Sequence, residues 1–389
     1  MITIVKTPSE YTPAGNPIIF QVVSDNPNII YFNVQLLEVP SGDTINFFNF
    51  YVRPDYLNGV SFNLSDVLSN LVETDINNSS QAVAIPLTDA TVSYRLIITE
   101  KLNSNGSIVN GDTYSNGNDK FTVWDAELSR VLFTNYNQDN WVANSNGRAK
   151  FLSLKDNVSK QSSTSTEHLY FLNKNNLAKQ CRIRTFNSAG AQNQVYLPAL
   201  PGGDMLRLNV APKAINKLFN TDFASVDHYR IDLLDGNGNV VSEEKVYKYV
   251  NHKCTLQPIN ILFTNSLGGV ESFTFFNPIE TVNVTKTSLK TNVLQMNNGI
   301  YSDSRDGIIN QSQRTINVTT TSSFKVFSDV LTDHETIMLQ ELITSKNVYI
   351  ELSDNQTLMP ITIINNNYQV LLRRTNGFKL NRLEITYTT

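Results

Sequence analysis

Four histidines, two cysteines, an adjacent pair of acids and two glycine-rich turns are the residues whose chemistry could reach beyond folding. His252 and Cys254 stand two apart, with His228 upstream. A metal site needs three or four convergent ligands, and no second Cys/His pair lies nearby, so these read as domain-edge residues. Cys181 and Cys254 have a separation like that of an inter-sheet disulfide, yet no Trp lies between them. Two cysteines are also too few for a disulfide framework, so two buried free thiols are expected. Asp235-Gly236-Asn237-Gly238-Asn239 imitates the start of a calcium loop, but Val246 occupies the twelfth position, where a bidentate Glu is required. A hairpin tip accounts for it. Gly268-Gly269 has neither G-x-G-x-x-G spacing nor a following Lys-Ser/Thr, which leaves a tight turn between strands.

Nucleophilic catalysis finds no better footing. None of His168, His228, His252 and His334 lies in a nucleophile-elbow context, and His334 falls in the first turn of a predicted helix, facing solvent. Glu243-Glu244 lie on a predicted strand, where neighbours point to opposite faces and cannot share a substrate. The expectation is a chain without catalytic, cofactor-binding or metal-binding residues, and not an enzyme.

The elements that would position these residues are mostly strands. The 389 residues suffice for two to four domains. Only 17 % are charged, so polarity rests on Asn, Ser and Thr, which favour turns and solvent faces of strands. Twenty Phe and sixteen Tyr fit strands better than long helices. A net charge of -4 with no basic cluster argues against nucleic-acid binding. No apolar run approaches the ~20 residues of a membrane-spanning helix. Met1 to Pro8 shows no secretory signal pattern, so folding in the cytosol is expected.

Residues 1–125 read as a β-sandwich domain. Its strands include 17–23, 29–39, 45–52 and 92–100, with Ser65 capping a short helix over 66–72 and a polar insertion over 73–80. Residues 126–164 read as a connecting segment that contributes a strand. Residues 165–255 read as a second sandwich domain in the same order: strands, a helix opened by Pro212, the strand His228 to Leu234, a turn, and a strand over 240–249. Tyr94-Arg95-Leu96 matches Tyr229-Arg230-Ile231, and Gly106-Ser107-Ile108-Val109 matches Gly238-Asn239-Val240-Val241. The shared order suggests an internal duplication of a module of immunoglobulin-like size. Residues 256–389 read as a β-rich C-terminal domain with one helix, opened by the capping box Thr332-Asp333-His334-Glu335. Leu331, Met338, Leu339, Leu342 and Ile343 form its buried stripe, and a closing antiparallel meander follows. The fold class expected is mainly β: two tandem immunoglobulin-like sandwiches and a β-rich third unit.

Between the second and third units stands Asn265-Ser266-Leu267-Gly268-Gly269-Val270-Glu271-Ser272-Phe273-Thr274-Phe275. It resembles a stretch of virion proteins of tailed bacteriophages infecting Bacteroidota, including crAss-like phages: an apolar strand ending in Asn, then Leu-Gly-Gly, an acidic or small residue, and Phe-Thr-Phe. The usual aromatic ahead of the Asn is replaced by Thr264, with Phe263 one place earlier. Residues Thr7 to Ile18, and the stretch from the Thr332 helix through Ser345 to Ile350, also resemble such proteins. The resemblance implies a structural tail, baseplate or collar component, a ring or adaptor subunit assembled in many copies. It would fold in the host cytoplasm and reside in the virion. Its partners would be other virion proteins and copies of itself, with no nucleic acid and no membrane. The alternative from another class is a host-surface glycan-binding or fibre-attachment module. A depolymerase is disfavoured for want of a β-helix repeat or catalytic constellation.

Overall fold

The computed structural model describes residues 1–39, 45–55, 59–76, 83–117, 120–145, 147–197, 199–219, 223–250, 257–290, 295–302, 304–305, 308–309, 313–352, 357–364 and 383–388. The chain is mainly β, as its composition implies.

The first unit contains β1 (Ile2–Lys6), β2 (Tyr11–Pro13), β3 (Ile19–Ser24), β4 (Ile29–Glu38), β5 (Ile45–Val52), β6 (Gly59–Asn63) and α1 (Ser65–Leu68). β7 (Ala84–Pro86), β8 (Thr91–Ser104), β9 (Ser107–Ser115) and β10 (Phe121–Trp124) complete it. One sheet runs β1-β3-β6; the facing sheet runs β2-β10-β8-β4-β5, with β9 also on β8. Phe32, Val34 and Leu36 of β4 and Tyr94, Leu96 and Ile98 of β8 are buried at alternate positions, the period-two signature of a half-buried sheet. They pack against Ile18, Phe20 and Val22.

Ser65 does not cap α1: it is the first helical residue, and Leu64 at the cap position offers no side-chain acceptor. Asn63 does the polar work, its Oδ1 accepting from the Ser65 amide at 3.1 Å and the Ile18 amide at 2.8 Å. The helix ends after one turn, with Leu68 buried and Leu71 exposed.

α2 (Arg130–Thr134) leads to β11 (Val158–Gln161), β12 (His168–Leu172), β13 (Gln180–Phe186), β14 (Gln192–Tyr196), β15 (Met205–Asn209), α3 (Pro212–Phe219), β16 (His228–Leu234) and β17 (Lys245–Tyr249). The large sheet is β11-β17-β16-β13-β14 and the small one β12-β15-β7. This order parallels the first unit. β2 pairs in parallel with β10 as β11 does with β17, and Tyr94 and Tyr229 are both fully buried on the corresponding strands. β11 comes from the connecting segment, so that segment does supply a strand. The predicted strand over 240–249 is shorter, beginning at Lys245 after a bridge between Leu234 and Val240. β7 lies within the first unit's sequence yet is an edge strand of the second unit, Ile85 standing opposite Arg207. Pro86 is tolerated there because an edge strand need not donate from every residue.

In the third unit come β18 (Pro258–Thr264), β19 (Val270–Lys290), β20 (Gln295–Asn297), β21 (Ile300–Ser302), β22 (Ser304–Arg305), β23 (Ile308–Ile309) and β24 (Gln313–Phe327). α4 (Asp333–Thr344), β25 (Val348–Glu351), β26 (Leu358–Pro360), β27 (Thr362–Ile363) and β28 (Glu384–Thr388) follow. The sheet order is β26-β25-β18-β19-β24-β28-β27. The capping box is present: Thr332 Oγ1 accepts from the Glu335 amide at 3.1 Å, and Glu335 Oε2 from the Thr332 amide at 2.7 Å. Leu331, Met338, Leu339 and Leu342 are buried against Ile261, Phe263 and Phe275, while Ile343 is half-buried. Much of the closing meander expected after the helix, residues 353–356 and 365–382, lies outside the described residues.

β19 and β24 outrun their sheet. From Glu280 to Lys290 and from Gln313 to Thr321 every residue is exposed, and over these ranges the two strands pair, among the described residues, only with each other. They form a two-stranded arm projecting from the body.

Candidate functional site

The Asn265–Phe275 stretch is where the three units meet. Asn265 Oδ1 accepts from the Leu267 amide at 3.0 Å and the Gly269 amide at 2.9 Å, closing the turn from within. Gly268 has φ +90°, and a Cβ there would stand 2.2 Å from the Asp125 carbonyl oxygen. A Cβ on Gly269 would stand 2.2 Å from the Leu152 carbonyl oxygen. The expected tight turn is present, and the two glycines also let two other backbones approach.

Those approaches are made good by hydrogen bonds. Trp124 Nε1 donates to the Leu267 carbonyl at 2.9 Å, Thr74 Oγ1 to Gly268 O at 3.1 Å, and the Glu127 amide to Ser266 O at 3.0 Å. From the third unit's helix, Glu341 accepts from the Ser266 amide at 2.7 Å and its hydroxyl at 2.8 Å. Buried Glu271 accepts from the Leu154 amide at 2.6 Å and Asn265 Nδ2 at 3.0 Å. Around this polar centre Tyr11, Trp124, Leu152, Tyr170, Leu172, Met205, Leu262 and Leu267 form a buried cluster drawn from every unit.

A second polar group joins the second and third units. Buried Glu167 pairs with Lys155 and accepts from Gln161 Nε2 at 2.9 Å, Ser272 Oγ at 3.0 Å and Tyr247 OH at 3.2 Å. Burial, with Glu167 nearby, raises the Tyr229 and Tyr247 phenols well above their ordinary range, so both stay protonated. His168 is pushed down to about 3 by burial and then by the Arg207 and Lys155 cations, leaving it neutral. Beside this group opens a cleft of about 150 Å³, its walls including Gln161, Ser165, Phe273, Phe276, Asp329 and His334. Gln161 is buried, and its Oε1 meets no hydrogen-bond partner among the described residues.

The other residues singled out in the sequence are scattered. His228 stacks on Phe186 at 4.6 Å and lies 2.9 Å from Asp227. His334 is half exposed, but its Nε2 lies 3.0 Å from the Leu154 carbonyl, so it holds the connecting segment as well as meeting solvent. Cys181 is a buried free thiol whose pKa burial raises; His252 and Cys254 lie outside the described residues. The Asp235 carboxylate is consumed by its own turn, accepting from the Asn237 and Asn239 amides at 2.8 Å each. Those contacts, led by the Asn239 side chain, lower its pKa. Glu243 accepts from the Phe151 amide while Glu244 meets Arg184 and Arg230, so the two acids do part company. Among the described residues no group of three or more His, Cys, Asp or Glu could hold a metal ion, and no helix is long and apolar enough to cross a membrane. Trp124, Thr74, Glu167 and Glu341 carry the junction together with Glu271, and of these only Glu271 belongs to the Asn265–Phe275 stretch that the sequence singles out. The available signal is that acid, Glu271, set among Val270, Phe273, Phe275 and Phe276.

No family model matches the chain, and no curated protein matches it. Among solved structures, a chaperone–tip adhesin complex of CFA/I fimbriae aligns at 10% identity and TM-score 0.22, over 64% of this chain and 99% of that one. Trypsin-activated alpha-2-macroglobulin from Escherichia coli aligns at 9% identity and TM-score 0.20, over 85% of this chain and 22% of that one. The calcium-binding domain CBD12 of CALX1.1 aligns at 9% identity and TM-score 0.18, over 60% of this chain and 78% of that one. Likenesses this loose carry no argument about function.

Proposed function

We propose that this chain is a non-enzymatic structural subunit of a tailed-bacteriophage virion, a ring or adaptor protein of the tail, baseplate or collar, assembled in multiple copies. The observation behind the reading is that the stretch resembling phage virion proteins is spent on holding shape: its Asn, both Gly and its Glu each close a contact between units. Sheets that end, among the described residues, in edge strands such as β5 and β14 suit repeated assembly. We also take the common strand order of the two sandwiches as the trace of one duplicated immunoglobulin-like module. The test is mass spectrometry and imaging of purified particles. The chain should be present in a fixed multiple per particle, and its absence would end the proposal. Purified protein should leave capsular polysaccharide intact; steady turnover would overturn the non-enzymatic part.

A second reading, a glycan-binding module, draws on the cleft beside Phe273 and Phe276, where Gln161 Oε1 has no partner among the described residues. Glycan-array binding that is lost in Phe273→Ala would favour it over the first.

A further inference from the structure

Gln161, the last residue of β11, lines the cleft between the second and third units and is 4% exposed. Its Nε2 donates to the Glu167 carboxylate at 2.9 Å. A carboxylate paired with a lysine, as Glu167 is with Lys155, only accepts, so the amide can stand no other way round. Oε1 is therefore the atom left buried with no partner among the described residues. The hydroxyls around it are engaged. Ser165 Oγ meets Ser162 Oγ at 2.9 Å, Thr274 Oγ1 donates to Asn260 at 2.8 Å, and Ser272 Oγ donates to Glu167 at 3.0 Å. Phe273, Phe276, Val330 and Met338 make the apolar part of the wall. The space of about 150 Å³ is that of an apolar cavity holding one benzene ring. One six-atom ring bearing one donor, a phenol, matches both the volume and the open acceptor. A plain phenyl ring leaves Oε1 unmet, an indole adds a second ring, and a pyranose brings several hydroxyls where one buried acceptor is open.

β11 points to what carries the phenol. It is the end strand of its sheet among the described residues. The Val246 and Val250 amides donate to the Asn157 and Gln161 carbonyls, so in this parallel pairing the odd-numbered residues of β11 bond to β17. The amides and carbonyls of Val158 and Lys160 are left on the outer edge. Ser159 and Gln161 share the cleft face, and Lys160 lies on the opposite face beside its register partner Lys248. Both lysines are exposed, and neither has an ion pair with a described residue. Like charges side by side in a ladder repel. A strand laid along β11 would bond the free edge and alternate its side chains, sending a tyrosine to the cleft and an acid to the lysines.

We infer that the cleft receives the phenol of a tyrosine carried on an extended, acidic segment of a partner protein, which pairs with the β11 edge. This rests on the reading of a subunit that assembles with other proteins, and it gives one of those contacts its chemistry.

The experiment is calorimetric titration of the full chain with the capped peptide acetyl-Val-Glu-Tyr-Glu-Val-amide. It should bind at least about tenfold tighter than the same peptide with Phe for Tyr, or with Lys for both Glu. Methyl groups on the peptide nitrogens either side of the tyrosine should weaken it, because they block the edge. Free p-cresol should displace the peptide, and toluene and methyl glycosides should not. Gln161→Met should erase the difference between Tyr and Phe peptides. Val330→Trp fills the cleft, leaves the Gln161–Glu167 bond in place, and should abolish binding with the melting midpoint unchanged. Failure to bind would mean that water alone serves Gln161, and would end the inference. Equal binding of the Phe peptide, or indifference to Val330→Trp, would end it too. Displacement by methyl glycosides would assign the cleft to sugars instead. Chains absent from particles yet binding the peptide would remove only the virion reading. Chains present in particles yet blind to the peptide would remove only this contact.

Discussion

At the scale of single residues, the junction depends on positions where no atom can be added. Gly268 and Gly106 both have positive φ, but a Cβ on Gly106 meets nothing within 4 Å, whereas one on Gly268 meets the backbone of Asp125. Gly106→Ala should therefore cost about 1 kcal/mol, and Gly268→Ala roughly 3–5 kcal/mol, in denaturant unfolding. Equal costs would mean the approach to Asp125 is not tight. Lys155→Met leaves Glu167 buried without its cation and should destabilise by roughly 3 kcal/mol, while Lys155→Met with Glu167→Leu recovers part of it. His168 makes stability pH-dependent. In the unfolded chain its imidazole titrates near 6.5, and in the folded chain near 3. Between those values the unfolded state binds more protons, so stability is complete above 6.5 and falls as pH is lowered, at up to about 1.4 kcal/mol per unit. His168→Gln should flatten that slope in urea titrations at pH 4 to 7; an unaltered slope would assign it to other groups.

At the scale of elements, α4 is the helix whose start the sequence announces most fully. Thr332→Ala removes the acceptor for the Glu335 amide and should cost about 1 kcal/mol, read as a lower melting midpoint. The same legibility holds wherever a local rule decides the outcome. Pro212 opens α3, the Asp235 turn closes on itself, and Tyr94 and Tyr229 alternate into their cores. It fails where a distant partner decides. Ser65 looks like a cap, but Asn63 holds Ile18 and Ser65 together and pre-empts that role. Nothing local to Ala84–Pro86 says that its partner is β15, because strand pairing over such a separation leaves no spacing pattern. The junction was half legible: Gly268-Gly269 read as a turn, while Trp124 and Leu152, the groups it admits, lie far away in sequence.

At the scale of the whole molecule, the cluster around Leu267 and Trp124 is shared property, so no unit can unfold without exposing it. Calorimetry should give one cooperative transition for the body; three resolved transitions would show that the units are coupled only by their chain connections. β7 adds an order of events to that coupling. Ribosomes release the Ala84–Pro86 segment about 120 residues before the β15 strand that receives it, a wait on the order of ten seconds at ordinary elongation rates. Throughout that interval the nascent chain trails an unclaimed ribbon of backbone, and on a crowded polysome the nearest vacant berth belongs to the chain ahead. Exchange of this segment between neighbours would yield entangled pairs that dilution cannot separate, so slowing translation or spacing ribosomes apart should decide how much of the product is born single.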